Sequence, residues 1–289
     1  MIRSLFGPQG GLRLSFVLFL ALAGLASSTN AAPKIVFGTV RDGNQHDVWV
    51  MEPDGSSPTR LTTSLAYDDQ PKWSPDSSKI VFMSGRDGNF EIYTMNPDGS
   101  GQTRITNNVL GDGFPAWSPD GNKIAFVRGN LSNPSTFEIW VMNANGSNEV
   151  RLTTDSVIDG TPSWSPDGTK IVFMSGGSSV FDPNAFEIYS INAADGSNRT
   201  RLTNNTIADG QPSYSPDGTR ILFASGDAFN PNGIEIFVMN ADGSSPKRLT
   251  ENLDNDQYPA WSPDGTKLVV ASGQQQQFFP KLLLFDVGT

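Results

Sequence analysis

The chain has 289 residues, of which 37% are hydrophobic and 17% charged, a balance that excludes a disordered, self-repelling polymer and supplies a core. With 30 acidic against 20 basic residues the formal charge is −10, which argues against nucleic-acid phosphates and anionic lipid as partners. Cysteine is absent and His46 is the single histidine, so disulfides, thiolate chemistry and multi-histidine metal centres are excluded.

The first predicted element is a secretory signal peptide over residues 1–31. Arg3 and Arg13 give a positive start, and Leu14–Ala26 is an apolar run of 13 residues, too short for an ordinary membrane span. Small residues follow, and cleavage is expected near Ala31. No cysteine follows the run, so lipid attachment there is excluded. No other segment has the length and apolarity of a spanning helix, so no membrane span is expected after cleavage and the chain is expected to be periplasmic or secreted.

Beyond the leader the chain repeats itself. A variant of P-x-W-S-P-D-G occurs at Pro71–Ser77, Pro115–Gly121, Pro162–Gly168, Pro212–Gly218 and Pro259–Gly265. Its first serines are Ser74, Ser118, Ser165, Ser215 and Ser262, so the steps are 44, 47, 50 and 47 residues. A period of this size, holding several short strands, is the mark of a β-propeller. In the unit Asp159–Thr203, Pro162–Ser165 reads as a first strand and Ser165–Gly168 as a tight turn, with proline presetting φ and glycine closing it. Lys170–Ser175 reads as the second strand. Its apolar run is continuous, which requires cover on both faces of the sheet. Phe186–Asn192 is the third strand, and Arg201-Leu202-Thr203 a short fourth. Second strands recur at Lys34–Phe37, Lys79–Phe82, Lys123–Phe126, Arg220–Phe223 and Lys267–Val270. Second and third strands thus occur six times, first and fourth strands five times. The expectation is an all-β, six-bladed β-propeller of four-stranded antiparallel blades with incomplete terminal blades. The first blade lacks its inner strand, a gap that Ser28–Pro33 or a partner's strand could fill.

The phrase P-x-W-S-P-D-G-x-K-I-x-F, followed by E-I-Y-x-M-N-x-D-G-S and R-L-T, resembles the repeat of TolB-type β-propellers from about Pro33 to residue 289. The resemblance implies six blades, export, and a protein-interaction role in the cell envelope. TolB itself carries an α/β domain ahead of its propeller; here the leader directly precedes the first repeat, so the expected organisation is a leader at 1–31 and a propeller standing alone at 33–289.

Two features gather on the face opposite the S-P-D-G turns. Asp68, Asp112, Asp159, Asp209 and Asp256 each stand three residues before a motif proline and are expected round one mouth of the central channel. There they either cap the turn into the strand or bind Ca²⁺ or a basic peptide. The links between second and third strands lengthen at Asn130–Thr136, Gly177–Ala185, Asp227–Gly233 and Gln274–Pro280. Their apolar residues Leu131, Phe181, Phe229, Phe278 and Phe279 either tuck over a blade or form a partner surface. The motif tryptophans are assigned to the core, the S-P-D-G aspartates to turns, and Arg60, Arg104, Arg151, Arg201 and Arg248 to pairing with strand carboxylates. No nucleophile elbow is present and one histidine does not assemble a metal-dependent propeller enzyme. The leading expectation is an exported, non-catalytic protein-interaction propeller binding a protein or peptide, with no firm cofactor and Ca²⁺ as the possible ion. A carboxylate-only, carbohydrate-active enzyme and a calcium-binding structural module are the alternatives.

Overall fold

The computed structural model describes residues 21–22, 34–40, 46–177, 186–226, 233–252, 254–273 and 281–286. Among these residues all regular structure is β, in six antiparallel sheets of three or four strands arranged as a six-bladed β-propeller. Blade 1 contains β1 (Ala21–Leu22), β2 (Ile35–Thr39), β3 (Asp47–Met51) and β4 (Thr59–Arg60). Blade 2 contains β5 (Asp68–Trp73), β6 (Ile80–Ser84), β7 (Glu91–Met95) and β8 (Thr103–Arg104). Blade 3 contains β9 (Gly111–Trp117), β10 (Lys123–Asn130), β11 (Asn133–Asn143) and β12 (Val150–Arg151). Blade 4 contains β13 (Ile158–Trp164), β14 (Lys170–Gly176), β15 (Phe186–Asn192) and β16 (Thr200–Arg201). Blade 5 contains β17 (Ala208–Tyr214), β18 (Arg220–Gly226), β19 (Ile234–Asn240) and β20 (Lys247–Arg248), and blade 6 contains β21 (Asn255–Trp261), β22 (Lys267–Gly273) and β23 (Lys281–Asp286). Each first strand touches the first strands on both sides, and β1 closes the circle by lying against β5 and β21.

The apolar core is divided among six clusters, each between two neighbouring blades. This explains the continuous apolar runs. In β14, Ile171 and Phe173 pack towards blade 3 while Val172 packs towards blade 5. Phe82, Phe126 and Phe173 are fully buried at the middle of their strands, and each such burial contributes roughly 1.5–3 kcal/mol. The cluster of Ile35, Phe37, Trp49 and Met51 with Ala260, Val269 and Ala271 joins blade 1 to blade 6.

Three expectations are revised. The first strands are longer than the motif itself, six or seven residues in blades 2 to 6. Each contains a bulge, because two residues, such as Thr161-Pro162, oppose one on the second strand. The bulge also accommodates a proline that could not donate to a regular ladder. The link Asn130–Thr136 is not a loop: β10 and β11 run on into it and turn at Leu131–Ser132, with Asn130 paired to Asn133. The inner position of blade 1 is taken by Ala21 and Leu22, which pair with Val36 and Ile35; both fall inside the stretch read as the leader's apolar core. Ser28–Pro33, the segment suggested for that gap, lies outside the described residues.

Candidate functional site: the central channel

The phrase R-L-T (R-I-T in blade 2) stitches the outer edges of blades 1 to 5. Arg104 donates to Glu91, Arg201 to Glu187 and Arg248 to Glu235, at 2.5–2.6 Å. The threonine hydroxyl accepts from the third strand, as Thr106 does from Ile92 N at 2.8 Å. Within the S-P-D-G turn, Ser165 Oγ donates to Asp167 Oδ1 (2.6 Å) and accepts from Lys170 N (2.9 Å). These residues carry the scaffold.

The five aspartates expected at a channel mouth do begin the inner strands, but they lie inside, at 0–1% exposure. Asp68 accepts from Ser64 Oγ (2.9 Å) and Arg86 Nη2 (2.9 Å). Asp112 accepts two bonds from Arg128, at 2.7 and 2.8 Å, and one from Asn108 Nδ2. Asp209 and Asp256 accept from Asn205 Nδ2 and Asn252 Nδ2, both at 2.7 Å. Asp159 faces Arg199 Nη2 at 3.4 Å. Burial pushes Asp112 and Asp209 above the usual carboxylate range and Asp159 up to about 6. Their partners are side chains, while the turn backbone is capped by Asn108, Asn205 and Asn252, whose Oδ1 atoms accept from Leu110 N, Ile207 N and Asp254 N; a partner would have to displace these contacts to reach the aspartates.

Of the loop residues, Leu131 is 38% exposed and leans over Gly111, to which a Cβ would come within 3.4 Å of its Cγ. Phe181, Phe229, Phe278 and Phe279 lie outside the described residues. His46 is tied into the structure: its Nδ1 is 3.4 Å from Asp69 Oδ2, and its ring stacks on Tyr67, whose hydroxyl donates to the same oxygen at 2.8 Å.

A cavity of about 330 Å³ occupies the channel instead, walled by all five motif strands and reaching Pro75, Pro119 and Pro166 of the S-P-D-G turns. Its wall was not assigned from sequence. At the level of the bulges stand Gln70, Phe114, Thr161, Gln211 and Tyr258, the residues just before each motif proline. All five adopt the left-handed conformation, with φ of 57°, 52°, 48°, 55° and 53°. For non-glycine residues, and for β-branched threonine above all, this is strained backbone. Gln70 Oε1 accepts from Phe114 N, and Gln211 Oε1 accepts from Tyr258 N, so two glutamines hold the next blade's strained residue. Thr161 Oγ1 is buried without a hydrogen-bond partner.

Two residues beyond, the position after each motif proline is Lys72, Ala116, Ser163, Ser213 and Ala260. Lys72 is the one charged residue among those lining the cavity, and burial pulls its ammonium down to about 8. Trp73, Trp117 and Trp164 complete the wall. Trp164 Nε1 donates to Ala116 O (3.1 Å) and Trp261 Nε1 to Ser213 O (3.2 Å), tying one inner strand to the previous one. Trp73 Nε1 and Trp117 Nε1 are buried and have no such acceptor. The tryptophans are therefore core and cavity wall together. The signal for this site was available: the residues flanking each proline vary while the proline does not.

The family model of the TolB beta propeller domain matches residues 27–112, 109–182 and 178–280. No curated protein matches the chain at a significant level. Among solved structures, TolB from Acinetobacter baumannii superposes with a TM-score of 0.68 at 22% identity, over 93% of this chain and 60% of that one. A putative TolB from Agrobacterium tumefaciens superposes with a TM-score of 0.68 at 20% identity, over 94% of this chain and 91% of that one. An oligogalacturonate lyase in complex with manganese follows at 15% identity and TM-score 0.60, covering 93% and 82%. Identities this low establish the fold and leave activity open. The chain spans 60% of the length of the Acinetobacter protein.

Proposed function

The chain belongs to the TolB beta propeller domain family, and from that premise we propose that it is an exported, non-catalytic interaction propeller whose partner is a protein segment bound in the channel. The observation that carries this reading is the ring of five left-handed, non-glycine residues around one cavity. Strain of this kind persists where surrounding structure over-determines it, and it gathers at ligand clamps. The wall chemistry supports a peptide occupant. Tryptophan, phenylalanine, tyrosine and proline offer apolar contact, buried amides and indoles offer hydrogen bonds, and Lys72 offers one positive charge. A segment carrying an apolar side chain and a carboxylate complements that wall. The export leader read in the sequence supports an encounter in the periplasm or outside the cell. Among the described residues no helix is long and apolar enough to cross a membrane.

The test is crosslinking of the exported chain in an envelope extract, with Ser163→Trp as the variant that fills the channel. The expected outcome is a discrete protein adduct that Ser163→Trp abolishes and Lys72→Glu weakens by tenfold or more. An adduct unchanged in both variants removes the channel from the interaction. Turnover of an oligosaccharide by the purified chain replaces this reading with an enzymatic one.

A further inference from the structure

Four of the five buried aspartates receive a proton donor from the residue four positions earlier: Ser64 to Asp68, Asn108 to Asp112, Asn205 to Asp209 and Asn252 to Asp256. At the fifth junction, between blades 3 and 4, that position is Asp155. A carboxylate has no proton to give, and here it adds a negative charge where the other copies add a hydrogen bond. Glu138, Asp155 and Asp159 consequently place oxygen atoms within 4.8 Å of one another. Like charges at this spacing require compensation.

The compensation is partial. Arg151 donates to Glu138 Oε1, and Arg199 reaches Asp155 Oδ2 and Asp159 Oδ1. Two guanidiniums face three carboxylates, which leaves one net negative charge. At the matching place in other blades the second glutamate oxygen is satisfied, as when Thr106 donates to Glu91 Oε2 at 2.6 Å, Thr203 to Glu187 Oε2 at 2.6 Å and Thr250 to Glu235 Oε2 at 2.5 Å. Here Glu138 Oε2 is buried without a hydrogen-bond partner, and that glutamate oxygen sets the junction apart; Asp159 Oδ2 is unpartnered too, as are Asp68 Oδ1, Asp209 Oδ1 and Asp256 Oδ1 in other copies. Glu138 is 2% exposed and Asp159 is 0% exposed. A buried anionic oxygen with no partner is costly, and a cation is what removes that cost.

We propose that this junction binds a hard divalent cation of the Ca²⁺ class through Glu138, Asp155 and Asp159. The donors are oxygen only, which suits Ca²⁺ and leaves zinc and copper without nitrogen or sulfur ligands. Asp155 is exposed, so it provides an entry path and a side open to the water ligands that Ca²⁺ accepts in a flexible shell. Mg²⁺ requires stricter octahedral geometry and is the weaker fit. The site is distinct from the channel, and among the described residues it arises at the junction where Asp155 departs from its copies.

The experiment is calorimetric titration and thermal melting of the full chain with calcium chloride. The expected result is one-site binding and a rise in Tm that magnesium reproduces poorly. Asp155→Asn, which copies Asn108, is expected to weaken calcium binding at least tenfold and to raise the metal-free Tm. Asp155→Ser, which copies Ser64, is the second variant and is expected to behave alike. Absence of heat and of any melting shift at millimolar calcium overturns the proposal. So does binding of undiminished strength in both variants.

Discussion

Ser77 stands where the other four tight turns have glycine. Gly121, Gly168, Gly218 and Gly265 all have φ between 69° and 73°, and Ser77 is held at 59°. An L side chain in this region costs roughly 1–2 kcal/mol. Ser77→Gly is therefore expected to stabilise the chain by about 1 kcal/mol, with some loss to unfolded-state entropy; a urea midpoint that stays or falls rejects this account. Comparison between copies made this residue legible, and the same comparison picks out Asp155. It did not reveal the conformation of Phe114, Thr161 and Tyr258. These residue types do not favour the left-handed region, so no local propensity announces them there. The bulge imposes it, because the inner strand must fit one extra residue against its neighbour.

At the scale of the element, the tight turns are held by a serine–aspartate pair whose strength depends on pH. The Ser215 hydroxyl, then the Thr219 backbone and hydroxyl, hold Asp217 down at about 2. The unfolded reference is about 3.9. A depressed folded value contributes stability that is complete above about pH 4 and is lost as pH falls through 2. Asp217 is largely exposed, so the hydrogen bond is worth about 1 kcal/mol at most. Ser215→Ala is expected to lower Tm by a constant amount above pH 4, with the gap narrowing between pH 4 and pH 2 to the part that the Arg220 N bond to Ser215 Oγ contributes. A gap independent of pH assigns the loss to the Arg220 N cap alone. The turns and the second and third strands could be read from sequence because proline, aspartate, glycine and continuous apolar runs are local signals. The extension of β10 and β11 could not. Asn130, Ser132 and Pro134 suggest a loop, and only the pairing of Asn130 with Asn133 makes that segment strand.

At the scale of the molecule the ring must close, and its weakest arc is blade 1. Five inner strands of six or seven residues surround the channel, and among the described residues the sixth, β1, has two. The sequence showed this gap by counting strands; it did not show what fills it, since Ala21 and Leu22 read as leader and carry no strand motif. Removing residues 1–31 takes away the partners of Ile35 and Val36. The remaining interface of blade 1, between Ile35, Phe37, Trp49 and Met51 and the apolar residues of blade 6, stays intact. The chain from residue 32 onward is therefore expected to keep its fold, to melt at a lower temperature than the full chain, and to exchange its β2 amides faster than those of β6, β10 or β14. Adding an extended peptide that pairs with β2 should restore protection there. Slow exchange along the whole of β2 in the shortened chain overturns the expectation, because it shows that blade 1 closes without an N-terminal inner strand.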